Sequence, residues 1–315
     1  MDNQLVTPPE LSLYLTTFTD GPQHDWPATL ELARAMDTAG VDRLVVSDHV
    51  VFGENLDAYA DPSTGGQAGG RQPTGSDGAW LEPLTVLTAI AASTTRIRLG
   101  TSILLAALRR PAVLAKQLAT LDVISSGRVD LGVGVGWQRE EYDACGLSFE
   151  GRGRLLDHTL EVCQALWTRQ RVSYDAPELS FDGIHQMPKP VQQAGVPLWI
   201  SGTVNRAVAR RIARFGSGWI PWGSAMADPA AAITAMKDAI AAAGGEPSGL
   251  QVQGTTRTVK KTDGTIDYAA TAAAVPALVG AGVTDIRVSA AIPAGYERAV
   301  DFLIPLVEAF REVTR

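Results

Sequence analysis

The sequence predicts a (β/α)8 barrel, a closed ring of eight parallel strands surrounded by helices. The first observation is alternation: eight short apolar stretches typical of buried strands are each followed by apolar residues at helical spacing. The second is length, because 315 residues suffice for the ~250 of such a barrel together with insertions. A doubly wound open sheet also fits the alternation, and the count of eight favours closure.

The elements are predicted from the period of the apolar residues, which is near 3.6 in helices, and from short apolar runs in buried strands. The strands are expected at residues 11–18, 43–48, 97–105, 129–136, 198–201, 218–221, 250–258 and 285–290. The helices are expected at residues 27–39, 81–93, 112–125, 152–168, 204–215, 229–243, 268–280 and 295–312. No break in composition interrupts the series, so we expect a single domain over residues 1–315.

Two segments interrupt the alternation and are predicted to be insertions. Residues 50–79, after the second strand, are rich in glycine, proline and polar residues, and loops of this length are usually functional or disordered. Residues 171–196 contain two short extended pieces, at 172–174 and 178–181, which predict a hairpin before the fifth strand. Both insertions are expected on the side where such barrels carry their active sites, and residues 50–79 are the better candidate for covering a substrate.

Composition and charge narrow the class of protein. The apolar share of 45% supplies a core, and the net charge of -7 argues against general affinity for nucleic acids. The two cysteines, Cys145 and Cys163, show no metal-ligand spacing and fit a reducing cytoplasm. No apolar run approaches the ~18 residues of a membrane span. We therefore expect a cytoplasmic protein with no metal, nucleic-acid or membrane partner.

An Asp–His pair stands at the predicted end of the second strand, where side chains enter the site of a barrel. A carboxylate such as that of Asp48 can orient the imidazole of His49 or favour its protonated form. On residue types alone, a turn-capping aspartate beside a solvated histidine is the commoner arrangement. The pair is a candidate catalytic site because of its position.

Small residues mark the ends of the third and fourth strands. Hydroxyls in the Thr-Ser-Ile sequence at 101–103 could simply satisfy backbone groups. Gly132, Gly134 and Gly136 alternate, which places bare backbone on one face of the fourth strand. Because no Rossmann spacing follows, this glycine pattern indicates close approach within a barrel rather than a nucleotide fold.

A glycine-containing turn precedes the helix predicted after the fifth strand. Ser201, Gly202 and Thr203 offer backbone N–H groups near the positive end of the helix dipole, which suits an anion. An ordinary hydroxyl cap of the helix is an equally open interpretation.

Further polar and aromatic residues are weaker candidates. Arg109 and Arg110 could meet an acidic cofactor tail, although solvation at the surface is the default. Glu140 and Glu141 are expected to begin a helix, where the dipole favours their charge. The remaining candidates are Trp80, Glu82 and Tyr142.

The order of these segments resembles the bacterial luciferase-like monooxygenase superfamily, and most of all its branch that uses the deazaflavin coenzyme F420. The matching motifs are R-I-R-L-G-T-S-I at 96–103, S-G-R-V-D-L-G-V-G-V-G-W at 126–137 and E-E-Y at 140–142. Others are V-V-S-D-H-V at 45–50, W-L-E-P-L at 80–84, R-G-R at 152–154, P-L-W-I-S-G at 197–202 and G-S-G-W-I-P-W at 216–222. They extend over about two thirds of the chain in the family's order.

The resemblance implies roles for individual residues. It places His49 against the deazaflavin ring, and it implies a non-prolyl cis peptide bond between Ser102 and Ile103 under that ring. The cofactor-binding residues implied at the third and fourth strands are Thr101, Ser102, Ile103, Val135, Gly136 and Trp137. Those implied for the phosphate and its surroundings are Ser201, Gly202, Thr203, Trp222 and Gly223.

The function expected from these features is F420-dependent hydride transfer to or from an unidentified small organic substrate. His49 is expected to act on the reacting centre and Asp48 to orient it. Relatives that oxidise glucose 6-phosphate carry a catalytic glutamate where Trp137 stands, so that activity is not expected. The alternatives are an FMN-dependent monooxygenase supplied by a reductase and a non-catalytic deazaflavin-binding protein. We also expect a homodimer.

Overall fold

The barrel consists of eight parallel strands in a computed structural model that describes residues 8–20 and 25–315. The strands, named β1 to β8 in chain order, are Glu10–Tyr14, Arg43–Val46, Arg98–Thr101, Val129–Val133, Leu198–Gly202, Gly218–Pro221, Gln251–Arg257 and Asp285–Ser289. Strand β1 pairs with both β2 and β8, so the sheet closes on itself. The predicted (β/α)8 fold is confirmed, and an open doubly wound sheet is excluded.

Ten α-helices follow the strands in the described part of the chain, and seven of the eight predicted helices agree within two residues at each end. They are α1 Trp26–Ala39, α2 Pro83–Ser93, α3 Pro111–Ile124, α4 Arg139–Ala144, α5 Arg152–Thr168, α6 Arg206–Phe215, α7 Pro229–Ala242, α8 Tyr268–Ala272, α9 Val275–Gly280 and α10 Tyr296–Val313. The single helix predicted at 268–280 is wrong. It is two helices, because Pro276 lies in the first turn of α9 and suits a helix start better than an interior.

Capping side chains explain why two helices start later than the apolar pattern predicts. Glu82 precedes α2 and accepts the backbone N–H of Thr85 at 2.8 Å. Asn205 precedes α6 and accepts the backbone N–H of Val208 at 3.0 Å. A cap residue has non-helical backbone angles, so each helix begins one residue after its cap.

The first and third strands are shorter than predicted, because the chain leaves the barrel at their carboxyl ends. Strand β1 ends at Tyr14, and Phe18–Thr19 instead pairs antiparallel with Ala79–Trp80. Strand β3 ends at Thr101, and the chain returns only at Leu104, which bridges to Val133. The nine residues predicted as one strand, 97–105, therefore contain both a strand and the turn that follows it.

The lower part of the barrel interior is charged rather than apolar. Arg43 of β2 is bonded to Asp285 and lies 3.0 Å from Asp130 and 2.5 Å from Glu10. Burial alone lowers the pKa of Arg43, but these carboxylates outweigh burial and raise it. The guanidinium also lies over the ring of Trp199, 4.8 Å from its centroid. One buried arginine thus ties β2 to β1, β4 and β8 beneath the mouth of the barrel.

Both predicted insertions are present. Residues 50–79 form a long connection after β2 with two short 3₁₀ turns, Leu56–Ala60 and Pro62–Thr64. The predicted hairpin before β5 is formed by Val172–Ala176 and Leu179–Ile184, which pair antiparallel. We call residues 50–79 the lid segment.

Within residues 8–20 and 25–315, none of the helices combines the length and apolar character that crossing a bilayer requires.

Candidate active site

The candidate site lies at the carboxyl ends of the barrel strands, where the residues after β2, β3 and β4 meet the lid segment. His49 follows β2 and its side chain is only 11% exposed. Three aromatic rings surround it, with centroids at 4.5 Å for Phe52, 4.7 Å for Trp80 and 6.2 Å for Trp137. The imidazole is therefore enclosed by apolar surface, which strengthens any electrostatic contact that it makes.

The carboxylate beside His49 belongs to Glu141. His49 Nδ1 lies 3.3 Å from Glu141 Oε1, and the Glu141 side chain is 1% exposed. The same Oε1 accepts the backbone N–H of Val50 at 2.8 Å, while Oε2 has no partner among the described residues. The helix start predicted at Glu140 and Glu141 is confirmed, because both lie in the first turn of α4.

Asp48 does not orient His49, so this expectation is wrong. Its Oδ2 accepts a hydrogen bond from Arg109 Nη1 at 2.6 Å, and its Oδ1 accepts one from Arg109 Nη2 at 3.1 Å. The backbone N–H of Leu105 also donates to Oδ2, at 2.9 Å. A paired guanidinium fits a carboxylate better than an imidazole does, so Asp48 joins β2 to the segment after β3.

Arg109 is not a solvated surface residue, which corrects the default interpretation, whereas Arg110 is exposed as expected. Arg109 Nη2 also donates to Glu82 Oε1 at 2.9 Å. Burial would raise the pKa of Glu82, but the Thr85 backbone N–H and Arg109 outweigh it and lower that pKa. Arg109 is thus neutralised by two carboxylates and is not available for an acidic cofactor tail.

The segment after β3 contains the cis peptide bond implied by the resemblance. It joins Ser102 to Ile103. Thr101 Oγ1 donates to the carbonyl oxygen of Gly132 at 2.7 Å, which fastens this end of β3 to β4. Ser102 Oγ accepts a hydrogen bond of 2.7 Å from Arg287 Nη1 of β8. The hydroxyl of Ser102 is therefore held from across the barrel.

The alternating glycines of β4 lie against the segment that follows β3. A Cβ on Gly132 would come within 2.0 Å of the Thr101 carbonyl oxygen, and one on Gly134 within 2.5 Å of the Ile103 side chain. Gly136 has φ +69° and faces Leu105. The close approach predicted for these glycines is thus confirmed, and the partner is the neighbouring strand of the barrel itself.

Val135 and Trp137, two of the predicted cofactor-binding residues, follow β4 and make different contacts. The carbonyl oxygen of Val135 accepts the hydroxyl of Tyr142 at 2.6 Å, which fixes the start of the turn to α4. Trp137 is 6% exposed, and its ring lies between those of His49 and Tyr59. Trp137 thus forms part of the wall around the imidazole.

The turn at Ser201–Thr203 precedes α6 as predicted, and it lies beside the end of β6. Gly202 pairs with Pro221, and a Cβ on Gly223 would lie 3.5 Å from Thr203 Cγ2. Gly202 has φ +152°, and a Cβ there would come within 2.7 Å of Val208 Cγ2. The glycine is thus required by packing against α6 whatever binds to the turn.

The lid segment is fastened over the mouth of the barrel by aromatic rings and backbone carbonyls. Tyr59 lies 5.4 Å from Trp137 and 6.3 Å from Trp222, measured between ring centroids. Trp222 Nε1 is within 3.2 Å of the Gly65 carbonyl oxygen and 3.3 Å of that of Gly66.

A second fastening of the lid segment comes from α5. Arg152 Nη2 donates to the carbonyl oxygen of Thr64 at 2.7 Å, and its guanidinium lies over the Phe149 ring at 3.8 Å. The lid segment therefore connects the end of β2 with β6 and α5, and covers what lies between them.

Several buried polar atoms near the carboxyl ends of the strands have no hydrogen-bond partner among the described residues. They are Thr17 Oγ1, His49 Nδ1, both amide atoms of Gln138, Glu141 Oε2 and Arg287 Nε. A buried polar atom without a partner loses its interaction with water, so such a group indicates a water molecule or a ligand. Their position at the active face of the barrel favours a polar ligand.

The comparison with protein families decides the identity of the fold. Residues 6–263 match the family model described as luciferase-like monooxygenase. This chain belongs to that family. The resemblance inferred from the motifs is confirmed by a match that covers most of the chain, including all of the site residues predicted from the sequence.

Two curated relatives of this family member illustrate the range of sequence similarity. An uncharacterized protein of Mycobacterium tuberculosis is 35% identical over 188 residues, which are 60% of this chain and 65% of that protein. The F420-dependent glucose-6-phosphate dehydrogenase of Nocardia farcinica is 32% identical over 198 residues, which are 61% of this chain and 52% of that enzyme. The chain thus spans between half and two thirds of the length of these relatives.

Solved structures of the family share the fold at low sequence identity. An F420-dependent secondary alcohol dehydrogenase in complex with an F420–acetone adduct superposes with a TM-score of 0.74 at 17% identity, over 97% of this chain and 100% of that one. The long-chain alkane monooxygenase LadA gives a TM-score of 0.74 at 14% identity, over 98% of this chain and 92% of that one. At such identities the likeness establishes the barrel alone.

The contacts of three residues in the site are not predicted from the sequence. Glu141 was expected only as a helix start and Arg109 as a surface residue, while Arg287 was not singled out at all. A signal for Arg287 exists, since charged residues alternate at 285 and 287 in a strand that is otherwise apolar. No comparable signal identifies Glu141, because its contact with His49 joins residues that are 92 positions apart in sequence.

Proposed function

We propose that this chain is an F420-dependent oxidoreductase that transfers a hydride between the deazaflavin and a small organic substrate. The observation that carries the proposal is the environment of His49, which is enclosed by aromatic rings at the mouth of the barrel with a buried carboxylate at 3.3 Å. An imidazole in such surroundings can hold or move a proton at the reacting centre.

The residues present fit a flavin or deazaflavin. Buried atoms of Gln138 and Arg287 that have no partner among the described residues offer hydrogen bonds to a polar heterocycle, and aromatic side chains offer flat apolar surface. When bound, a deazaflavin supplies hydride chemistry at its C5 carbon, so that the protein supplies position and electrostatics.

The residues that would hold the cofactor form two groups. Thr101, Ser102, Ile103, Val135, Gly136 and Trp137 lie at the ends of β3 and β4 and would hold the ring system. Ser201, Gly202, Thr203, Trp222 and Gly223 lie at the ends of β5 and β6, and the adjacent start of α6 favours a phosphate there.

His49 is the residue that we assign to proton transfer. Its Nδ1 faces Glu141, so we assign Nε2, the other ring nitrogen, to the contact with the substrate. A substrate oxygen that gains or loses a proton during hydride transfer would exchange it with this nitrogen. Asp48 supports the site indirectly, through its pairing with Arg109.

The cofactor assignment is supported by the relative from Nocardia farcinica, an F420-dependent enzyme at 32% identity. We do not propose the sugar-phosphate substrate of that enzyme for this chain. Trp137 stands where those relatives carry a catalytic glutamate, and Arg109 of the candidate site is already paired with Asp48 and Glu82. A neutral organic substrate fits these surroundings better than a phosphorylated one.

Parallel titration of the purified protein with F420 and with FMN tests the proposal. We expect F420 to bind at least tenfold more tightly, which corresponds to about 1.4 kcal/mol. Absorbance of the bound chromophore and equilibrium dialysis give independent affinities. A preference for FMN, together with oxygen uptake driven by reduced FMN, would contradict the proposal and support a flavin monooxygenase. Tight binding of F420 without turnover of any alcohol or carbonyl compound would favour a carrier protein.

A further inference from the structure

Glu141 is placed to act on His49 rather than on a ligand directly. Among the described residues it is the carboxylate within ion-pair distance of the imidazole, with Oε1 at 3.3 Å from Nδ1. Its side chain is 1% exposed, so the carboxylate is shielded from water. Nothing in the sequence motifs or the family match assigns it a role in the site.

The position of the Glu141 carboxylate is fixed by the chain next to His49. Oε1 accepts the N–H of Val50 at 2.8 Å, so the carboxylate is tied to the backbone that carries the imidazole. Neither Oε2 nor His49 Nδ1 has a hydrogen-bond partner among the described residues. A hydrogen bond from Nδ1 to the neighbouring carboxylate would give the buried imidazole nitrogen its missing partner.

Other groups around His49 do not compete for Nδ1. Both Asp48 oxygens are bonded to Arg109, and Oδ2 also accepts the Leu105 backbone N–H. The other rings around the imidazole are those of Phe52, Trp80 and Trp137, which carry no charge.

We propose that Glu141 is the positioning residue of His49: it holds the proton on Nδ1 and leaves Nε2 as the proton acceptor. A carboxylate accepts but does not donate, so it selects the tautomer whose Nδ1 carries the hydrogen. When Nε2 takes a proton from a substrate hydroxyl, the imidazolium that forms faces a buried negative charge. The proposal rests on the proposed function for the identity of the substrate, but not for the state of the imidazole.

The ¹⁵N spectrum of histidine-labelled full-length protein tests the tautomer without any cofactor. The signals of His49 are assigned from the spectrum of His49→Ala. We expect wild-type His49 to show a protonated Nδ1 and an unprotonated Nε2 at a pH where the ring is neutral. Glu141→Gln replaces the carboxylate with an amide whose NH₂ can donate to an unprotonated Nδ1, so the proton should move to Nε2 in this variant.

Two variants serve as controls. Glu141→Asp keeps a carboxylate and should retain the wild-type tautomer, and Asp143→Asn removes an exposed charge from the same helix and should change nothing. Near-ultraviolet circular dichroism checks that each variant is folded. If Glu141→Gln does not fold, the wild-type spectrum alone still decides, because a wild-type proton on Nε2 overturns the proposal.

Measurements of turnover distinguish the role of Glu141 from the identity of the cofactor. With F420 bound, Glu141→Gln should lower kcat at least tenfold with little change in KM, and Glu141→Asp should recover part of the loss. An identical tautomer in wild type and Glu141→Gln overturns the role of Glu141 and leaves the cofactor assignment intact. A tautomer that changes as expected in a protein that binds FMN instead overturns the cofactor assignment alone.

Discussion

Arg287 Nη1 donates a 2.7 Å hydrogen bond to Ser102 Oγ, which joins the last barrel strand to the cis peptide bond after β3. The Nε of Arg287 is buried and has no hydrogen-bond partner among the described residues, and burial lowers the pKa of its guanidinium. Asp285, two residues earlier, is bonded to Arg43 and Ser12 instead. A cation with spare hydrogen-bonding capacity thus stands next to the expected position of the cofactor ring.

Arg287→Met is expected to weaken binding of F420 at least tenfold while leaving stability unchanged or improved. Hydrogen bonds to a charged group contribute about 1.5–3 kcal/mol, whereas a buried cation costs more to desolvate than an apolar side chain of similar size. Fluorescence titration measures the affinity, and urea unfolding of the unliganded protein measures stability. Ser102→Ala is the matched control, since it frees Arg287 without removing its charge. Loss of stability with unchanged affinity would show that Arg287 is structural.

His49→Ala should lower turnover by ~10²-fold or more, within the range for acid–base groups, and change cofactor affinity little. The physical reason is that the imidazole touches aromatic side chains and Glu141 and reaches the substrate through Nε2. Single-turnover kinetics at saturating cofactor separates the two effects. A variant that binds poorly but reacts at the wild-type rate once saturated would mean that His49 only holds the ring.

Asp48→Asn is expected to destabilise the protein by ~3 kcal/mol or more, because it leaves a largely buried Arg109 without its main partner. Glu82→Gln removes the second carboxylate of Arg109, but that side chain is 46% exposed and should cost less than ~1 kcal/mol. Urea unfolding of the two variants gives the comparison. Equal costs would mean that Asp48 has no special part in joining β2 to the segment after β3.

Asp130→Asn should destabilise the protein at neutral pH, and the difference from wild type should shrink in acid. Burial raises the pKa of Asp130, but Arg43 and Arg98 outweigh burial and hold it below its usual 3.8. The unfolded chain therefore binds the proton first as pH falls, so the stabilisation is present above 3.8 and disappears as pH falls through the lower folded-state value. Unfolding curves between neutral pH and pH ~3 test this; a constant difference across that range contradicts it.

Ser201→Ala should weaken binding of whole F420 and leave unchanged the binding of a deazaflavin fragment that lacks the phosphate. The hydroxyl and the start of α6 are expected to meet the phosphate and not the ring. A substitution at Gly202 would be a poorer test, because a Cβ there would press on Val208 and disturb α6 directly. Ser180→Ala, at an exposed hairpin position, is the control. Equal losses for cofactor and fragment would place the phosphate elsewhere.

The strand–helix series was predictable because each buried strand requires a short apolar run and each surface helix an apolar stripe. The strand ends were less predictable. The run from 97 to 105 has apolar residues at both ends, yet the strand ends at Thr101, since the apolar side chains of a strand and of a packed turn are chemically alike. The break between α8 and α9 was missed although Pro276 marks it.

The site divides in the same way. Residues that follow directly on strands, such as His49 and Thr203, were predictable because the barrel brings all strand ends to one face. The pairing of side chains at that face was not predictable. Asp48 is next to His49 in sequence, but adjacent residues of an extended chain point in opposite directions, so Asp48 meets Arg109 while His49 meets Glu141.

The fastening of the lid segment depends on three consecutive carbonyl oxygens, those of Thr64, Gly65 and Gly66, which accept from Arg152 and Trp222. Every residue type supplies such an oxygen. Side chains elsewhere in the lid segment can therefore be exchanged without removing these bonds, and the donors lie outside it. A family member built in this way can acquire a new substrate by changing the side chains on the inner surface of the lid segment, while the hydrogen bonds that hold the segment stay the same.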